Sequence, residues 1–391
     1  MITVSDVIKN SSLSAFPVVC GCAGLESEVI KTGIIDYEFS IEGFFENNKP
    51  FGYGDFLVAS LMFTNGDESE LLKMVEQLIA LKVSGLAIKN IFFKKIPQSI
   101  IDLCNNKDFP IVLFDNSLYF EEIITEIDNI IQVSDWIKRI ETKIELLYLN
   151  DLERGEVGFI SKEMRISPLK YSVAFCLSPY IPLSSIDMTY IINSYNNHSY
   201  RDEKSFLYKY REFFLIILIS NRDLKSEFEK SFLDILNLTG IKISNYTVGT
   251  SSIHNPVINL DFCIKEAIWS NKVAKLLSEE RKNYSDLGTW SIIISNQQSK
   301  HINQYMKNYL NPITHNPSDS SKELIKTAIA YIKCEGNPKL TADNLFIHEN
   351  TVRYRMNKLR EKLDPNANDF VFYENLSLAI KIHLLHDDFN S

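Results

Sequence analysis

Residues 340–363 read LTADNLFIHENTVRYRMNKLREKL, and this stretch decides how the C-terminal part of the chain folds. Val352, Met356, Leu359 and Leu363 recur at steps of four, three and four, which places them on one face of a helix. Before it, a short helix over 341–346 turns Ala342 and Leu345 inward, and 347–350 forms a tight connection. Earlier still, Leu324, Ile325, Ala328, Ile329 and Ile332 mark a helix that starts near Lys322 and is stopped by Gly336, Asn337 and Pro338. A terminal helix over 370–385 packs the group. Helix, short helix, turn and helix is the arrangement that lays its last helix in the DNA major groove.

The charges agree with that reading. Residues 351–362 hold Arg353, Arg355, Lys358, Arg360 and Lys362 against Glu361 alone, a local +4 in a chain of formal net charge −9. Residues 321–391 balance at ten basic and ten acidic side chains, so the positive charge is concentrated on one helix. At 100° per residue, the face opposite the apolar stripe carries Asn350, Tyr354, Asn357 and Lys358, with Thr351 and Arg353 at its edges. Arg and Asn read guanine and adenine edges, and Thr and Lys suit phosphate oxygens. The expected DNA contacts are Thr341, Asn350, Thr351, Arg353, Tyr354, Arg355, Asn357 and Lys358. Arg355 and Arg360 sit nearer the core flanks, where a phosphate contact or an internal salt bridge is favoured over base reading. The competing interpretation is a solvated basic helix in a small bundle. His348 fits a turn or cap rather than a metal ligand, because Asn344 and Val352, one turn either side, are not strong ligands. His383 and His386 are assigned no chemistry.

The remainder of the chain alternates strand and helix. In residues 1–115, strand-like runs occupy 18–22 and 34–38, and the apolar run 56–63 suits a strand or a buried helix. A helix over 68–81 carries Leu71, Leu72, Val75, Leu78 and Ile79 on one face. The strand Gly85–Lys89, a helix from Pro97 to 105 and a strand over 109–114 follow. Such alternation predicts parallel crossover units.

Residues 116–154 contain no Gly or Pro and read as one long helix. Its stripe runs through Ile123, Ile127, Ile130, Val133, Ile137, Ile140, Ile144 and Leu147, with one extra three-residue step that would be a stammer. Two readings compete: pairing with the same seam of a second subunit, which the narrow stripe favours, or packing on the chain's own flanking domains. Within 170–295 the order is strand 171–177, helix 186–195, strands 205–210 and 212–220, helix 224–238 ended by Gly240, strand 242–249 and helix Leu260–Leu277. That βαββαβ order is the ferredoxin-like one. Residues 311–320, NPITHNPSDS, are the expected linker, and a cut near Asn311 should release a module that folds alone.

Composition bounds the function. The chain has 391 residues, 45% hydrophobic and 23% charged, as a soluble folded protein of several domains has. Its longest apolar run, 213–219, falls far short of the ~20 residues that span a bilayer. No signal-peptide stretch opens it, so a cytoplasmic location is expected. The six cysteines read as reduced, mostly buried thiols, and the Cys20-Gly21-Cys22 spacing does not suit a zinc site. No P-loop, G-x-S-x-G or H-E-x-x-H is present. Asp36 and Glu38 form a carboxylate pair that fits a solvated strand better than catalysis. No enzyme, catalytic residue, metal or cofactor is expected.

The stretch 340–363 resembles the C-terminal helix-turn-helix of the PucR family, bacterial transcriptional regulators of the purine-catabolism type. His348, Asn350, Thr351, Arg353, Tyr354 and Arg355 match its signature, written here H-E-N-T-V-R-Y-R. Asn375-Leu-Ser-Leu-Ala is similar to the family's closing helix. Gly54-Asp-Phe-Leu, Gly85-Leu-Ala-Ile, Ile96-Pro97 and Phe109-Pro-Ile resemble its N-terminal sensory domain in the right order. Val248-Gly-Thr-Ser-Ser and Glu266-Ala267 resemble its degenerate GGDEF-like domain. The hairpin Tyr208-Lys-Tyr-Arg-Glu-Phe-Phe214 departs from active cyclases, having no glycine pair and a single acid.

The resemblance implies an α/β multidomain protein. Its parts are an N-terminal sensory domain (1–115), a connecting helix (116–154), a degenerate GGDEF-like, ferredoxin-like α+β domain (155–310) and an all-α helix-turn-helix domain (321–391). It implies a sequence-specific regulator of purine or other nitrogen-compound catabolism. Such a regulator binds double-stranded DNA, responds to a small effector, forms a homodimer or higher homo-oligomer and stays off membranes. Phe44, Phe45, Phe51 and Tyr53 are weighed as an effector pocket, though core roles fit several of them better. The alternative function is a metabolite-binding scaffold acting through a protein partner.

Overall fold

A computed structural model describes residues 2–35, 50–199, 202–315 and 319–387, apart from the side chains of 185, 186 and 387. Asp36, Glu38, Phe44 and Phe45 lie outside the described residues. The chain divides into two compact units, Met1–Ile140 with Ser185–Asn193, and Glu141–Ser184 with Ser194–Ser391.

The first unit contains α1 (Val4–Lys9), β1 (Val18–Cys20), β2 (Lys31–Ile35), β3 (Asp55–Ala59), α2 (Glu68–Ala80), β4 (Gly85–Lys89), α3 (Gln98–Asn106) and β5 (Ile111–Phe114). Its sheet has the order β1-β5-β4-β3-β2. Strands β2 to β5 are parallel, as the alternation predicts, and β1 closes the edge antiparallel to β5. Strand period sends Leu57, Ala59, Leu86 and Ile88 to one face, against Leu71, Met74, Val75 and Leu78 of α2 and Ile100 of α3. Phe56, Val58, Ala87 and Val112 go to the other face, against Val4 and Val7 of α1. Helix α1, absent from the sequence reading, is fixed by a capping box between Thr3 and Asp6.

Helix α4 (Phe120–Leu149) runs 30 residues without interruption. Its stripe is buried within the single chain at Ile123, Ile127, Ile137, Ile140, Ile144 and Leu147. Ile130 and Val133 are half-buried. The chain's own packing therefore takes up this seam, and the subunit-seam reading loses its surface. Ile123 and Ile127 join the core of the first unit.

After α4 the chain continues with α5 (Arg154–Glu163), β6 (Tyr171–Pro179), α6 (Ser185–Asn196, most of it counted with the first unit), β7 (Ser205–Tyr210), β8 (Phe213–Ser220), α7 (Lys225–Thr239), β9 (Tyr246–Thr250), α8 (Leu260–Leu277), β10 (Arg281–Asn283), α9 (Thr289–Ser295) and α10 (Lys300–Thr314). Strand order is β10-β9-β6-β8-β7, and β6, β7, β8 and β9 pair antiparallel. This is the βαββαβ sheet read from the sequence, extended by β10 parallel to β9. Gly249 lets α8 lie directly on β9, since a Cβ there would fall 2.1 Å from the Asn271 nitrogen and 2.3 Å from the Ala267 oxygen. Buried Asn271 then joins the layers, donating through Nδ2 to the carbonyls of Cys176 (3.0 Å) and Thr247 (2.7 Å).

The turn between β7 and β8 is held by the last turns of α4. Arg211, at φ +53°, donates its backbone N–H to Glu141 and its guanidinium to Glu145 (2.8 Å). Lys209 pairs with Glu141 at 3.4 Å, and the Tyr210 hydroxyl donates to Glu145.

The chain ends in α11 (Asp319–Lys333), α12 (Pro338–Leu345), α13 (Glu349–Leu363) and α14 (Asp369–Asp387). The expected linker fails over 311–314, which form the last turn of α10; residues 316–318 lie outside the described ones. Pro312 removes one helical hydrogen bond there, but Leu310 and Ile313 are buried on either side of it. These two share one core with Trp269 and Val273 of α8, Trp290 and Ile294 of α9, and Leu324, Val352, Leu359 and Phe372 of the terminal helices.

Candidate DNA-binding module

The punctuation of the module is local chemistry. Helix α11 ends with Gly336 at φ +78°, whose N–H donates to the Tyr331 carbonyl at 2.9 Å. Asn337 caps α12, accepting from the N–H groups of Lys339 (3.0 Å) and Leu340 (3.2 Å), with Pro338 in the first turn. Phe346 closes α12 in the left-handed region at φ +56° and is 95% exposed. His348 caps α13, its Nδ1 accepting from the Asn350 N–H at 3.1 Å, which is the capping role expected of it.

Burial of Val352, Met356 and Leu359 sets the rotation of α13. Asn350, Arg353, Tyr354 and Asn357 are exposed as a result, and Thr351 and Lys358 are half-exposed. The Lys358 ammonium lies 5.9 Å from the centre of the Tyr354 ring, so these two side chains share one patch. Arg353 remains 61% exposed and donates twice to Glu349 Oε1, at 2.6 and 3.0 Å. An exposed i,i+4 pair is worth about 0.3–0.5 kcal/mol, whereas a good bidentate base contact discriminates by about 1–3 kcal/mol. The arginine is thus held by a weak, exposed pair.

Two of the expected contacts point elsewhere. Thr341 is fully buried and donates its hydroxyl to the Asn337 carbonyl at 2.7 Å, so it stabilises α12 and is removed from the interface. Arg355 is 22% exposed and turns onto α11, bonding Glu323 at 3.0 Å and the Thr327 hydroxyl at 3.2 Å. Arg360 likewise pairs with Asp369 and the Ala367 carbonyl. Of the two roles weighed for Arg355 and Arg360, the structure displays the internal salt bridge. Glu349 was missed by the sequence reading. Its spacing of four before Arg353 was the available signal. Glu323 gave none, because its partner lies far along the chain.

Comparison with known proteins finds the PucR C-terminal helix-turn-helix domain over residues 324–382. The Purine catabolism regulatory protein-like family, PucR, matches residues 6–131. Both ends of this chain are PucR-family domains. The proline-responsive transcriptional activator PutR of Bacillus subtilis (strain 168) is 27% identical over 148 residues, 37% of this chain and 36% of that protein's length. A solved structure, the regulator of polyketide synthase expression from Bifidobacterium adolescentis, aligns with 64% of this chain and 99% of its own. Its identity is 17% and its TM-score 0.29, values at which the likeness carries no argument. The PucR N-terminal match encloses the parallel sheet of the first unit, and the PucR C-terminal match encloses most of α11 to α14. In that PucR sheet, Phe51 packs on the core and Tyr53 is exposed, its hydroxyl 3.3 Å from Glu28. Among the described residues no cluster of three His, Cys, Asp or Glu side chains is placed to hold a metal. Among them, too, no helix is long and apolar enough to cross a membrane.

Proposed function

We propose that this chain is a PucR-type transcriptional regulator that binds double-stranded DNA through α13. The supporting observation is the row of exposed Asn350, Arg353, Tyr354 and Asn357 with half-exposed Lys358 on the last helix of a PucR helix-turn-helix. Arg353 and Asn350 read base edges, Thr351 donates its hydroxyl to a phosphate oxygen, Lys358 neutralises a phosphate, and Arg355 fixes α13 to α11. The chain acts as a homodimer on a two-fold site, with half-sites one helical turn or a multiple apart. It acts in the cytoplasm, where its DNA is. Because the dimer is not built on the α4 stripe, its surface lies elsewhere.

The first unit senses a small effector. Purines and other nitrogen compounds follow from the family, and the relative described as proline-responsive adds amino acids to that class. The middle sheet is read as a GGDEF-like domain turned to architecture: its β7–β8 turn has no glycine pair and binds α4 instead of a nucleotide. No catalytic step is assigned to the chain.

Selection of bound duplexes from a random DNA pool with the full chain tests the reading. Enrichment of an inverted repeat is the expected result. Failure to enrich any site, both alone and with pooled purine catabolites and amino acids present, overturns it.

A further inference from the structure

Helix α13 carries less free charge than its basic residues suggest. Arg353, Arg355, Lys358, Arg360 and Lys362 stand with four acids once the pairs are counted: Glu349 and Glu361 on the helix itself, Glu323 against Arg355 and Asp369 against Arg360. Base reading by Arg353 therefore rests on where its N–H groups point rather than on net charge.

Glu349 controls that direction. It is the first residue of α13, and Arg353 follows one turn later. Helical side chains lean toward the N-terminus, so the guanidinium reaches back over the first turn, the part of a recognition helix that meets base edges. There Nε and Nη2 of Arg353 both donate to Glu349 Oε1, at 3.0 and 2.6 Å. Two of the five N–H groups of the arginine are used in this way. One N–H of Nη1 and the second N–H of Nη2 make up the outer edge, a parallel fork that matches guanine O6 and N7. The Arg353 side chain stays 61% exposed with the pair made. Tyr331 of α11 lies within electrostatic reach of Arg353, but its phenol is neutral, burial pushing its pKa up to about 12.

We propose that Glu349 is a positioning residue for base reading: it stays on the Nε edge of Arg353 while the outer edge of the arginine takes a guanine. This rests on the reading of α13 as the helix that contacts DNA. In water an exposed pair of this kind is weak. Pressed against DNA the pair leaves water, and hydrogen bonds that share one polar group strengthen each other. Glu349 also brings a negative charge toward the phosphates. That opposes binding to any sequence and is offset only where the fork finds its guanine, so the residue sharpens specificity while lowering affinity.

Fluorescence-anisotropy titration of the full chain tests the proposal, using the duplex selected from the random pool, duplexes changed from it one base pair at a time, and an unrelated duplex. Arg353→Ala first locates the guanine, as the base pair at which discrimination disappears. Glu349→Ala is expected to lower discrimination at that same base pair by about three- to tenfold, the scale of ordering one long side chain, and to leave other positions unchanged. Its binding to the unrelated duplex rises and gains the salt dependence of about one more phosphate contact, because the guanidinium charge is no longer neutralised. Glu349→Gln, which keeps an acceptor oxygen at the same reach, falls between Glu349→Ala and the wild type. Discrimination by Glu349→Ala as sharp as that of the wild type overturns this inference alone. So does a loss spread evenly over all positions, the mark of a loosened helix, and so does an Arg353→Ala variant that keeps discrimination at every base pair. Failure of the full chain to bind any duplex overturns the DNA-binding reading and this inference with it.

Discussion

The N-terminal sheet and the C-terminal helices bury their apolar faces in opposite ways. The sheet closes both of its core layers with residues that precede position 132, the limit of its family match. The terminal helices do not close theirs. Their core takes Trp269, Val273, Trp290, Ile294, Met306, Leu310 and Ile313 from α8, α9 and α10, all outside the matched residues 324–382. A parallel sheet covered on both faces is a complete layer system. Four helices of at most 19 residues leave one side open, and here the preceding helices cover it. The residues up to the limit of the family match close the sheet's two core layers at one end of the chain, and the matched residues close only part of the core at the other.

Cutting the chain breaks the comparison most directly. A fragment of residues 1–131 is expected to melt cooperatively. A fragment of residues 319–391, deprived of α8 to α10, is expected to show no cooperative transition, which reverses what the sequence alone led one to expect of a cut near Asn311. Thermal unfolding followed by circular dichroism reads both. A sharp transition in the shorter fragment would mean that the shared core is dispensable.

A smaller cut is a cavity. Leu310 is buried at the centre of the shared core, outside the family match. Leu310→Ala is expected to cost about 2–5 kcal/mol, as buried leucine truncations do. Hydrogen exchange at the amides of α13 should speed up accordingly, while the amides of β3 and β4 keep their protection. Unchanged exchange in α13 would show that α10 merely rests on the module.

The two arginines of α13 sharpen the contrast between surface and support. Arg353→Ala should weaken specific DNA binding by about 1–3 kcal/mol with little change in melting, since it pairs with a half-exposed glutamate one turn away. Arg355→Ala should act in the reverse order, loosening α13 from α11 by losing Glu323 and Thr327. Gel-shift titration beside thermal melting separates them. If both variants melt like the wild type and lose DNA equally, Arg355 belongs to the interface after all.

Much of this was legible before any coordinates. The bounds of β4 and α8 and the order of the middle sheet follow from strand runs, a long apolar period and a terminating glycine. The outward row of α13 follows from three buried residues at steps of four and three. What the sequence hid has physical causes. Helix α1 is a six-residue element, too short to show a period. Pro312 resembles a breaker unless the burial of Leu310 and Ile313 is known. Thr341 looks like any polar residue until its hydroxyl is found bonded to a carbonyl inside the module. The partners of Arg355 and the burial of the α4 stripe are long-range facts, and no local spacing encodes them.

The weakest test concerns a single side chain that crosses from the matched helices to the unmatched ones. Lys381, on α14, donates to the Thr289 hydroxyl at 2.7 Å and lies 5.5 Å from the centre of the Trp290 ring, both on α9. Burial lowers its pKa from the ordinary value of 10.5. The unfolded chain then binds more protons than the folded one between the lowered value and 10.5, so this group adds stability as pH rises through that window. Tyr305, Tyr309 and Tyr331 work against it, because burial raises their pKa values and the unfolded chain ionises first. The difference between the wild type and Lys381→Met removes their common contribution. Near neutral pH the variant should differ by no more than about 1 kcal/mol, the scale of a half-exposed cation–π contact set against its burial cost. Denaturant unfolding at a series of pH values up to 10.5 should show the difference moving in favour of the wild type. A difference that stays flat would mean that Lys381 is as well hydrated in the folded chain as in the unfolded one, and that α14 meets α9 through apolar contacts alone.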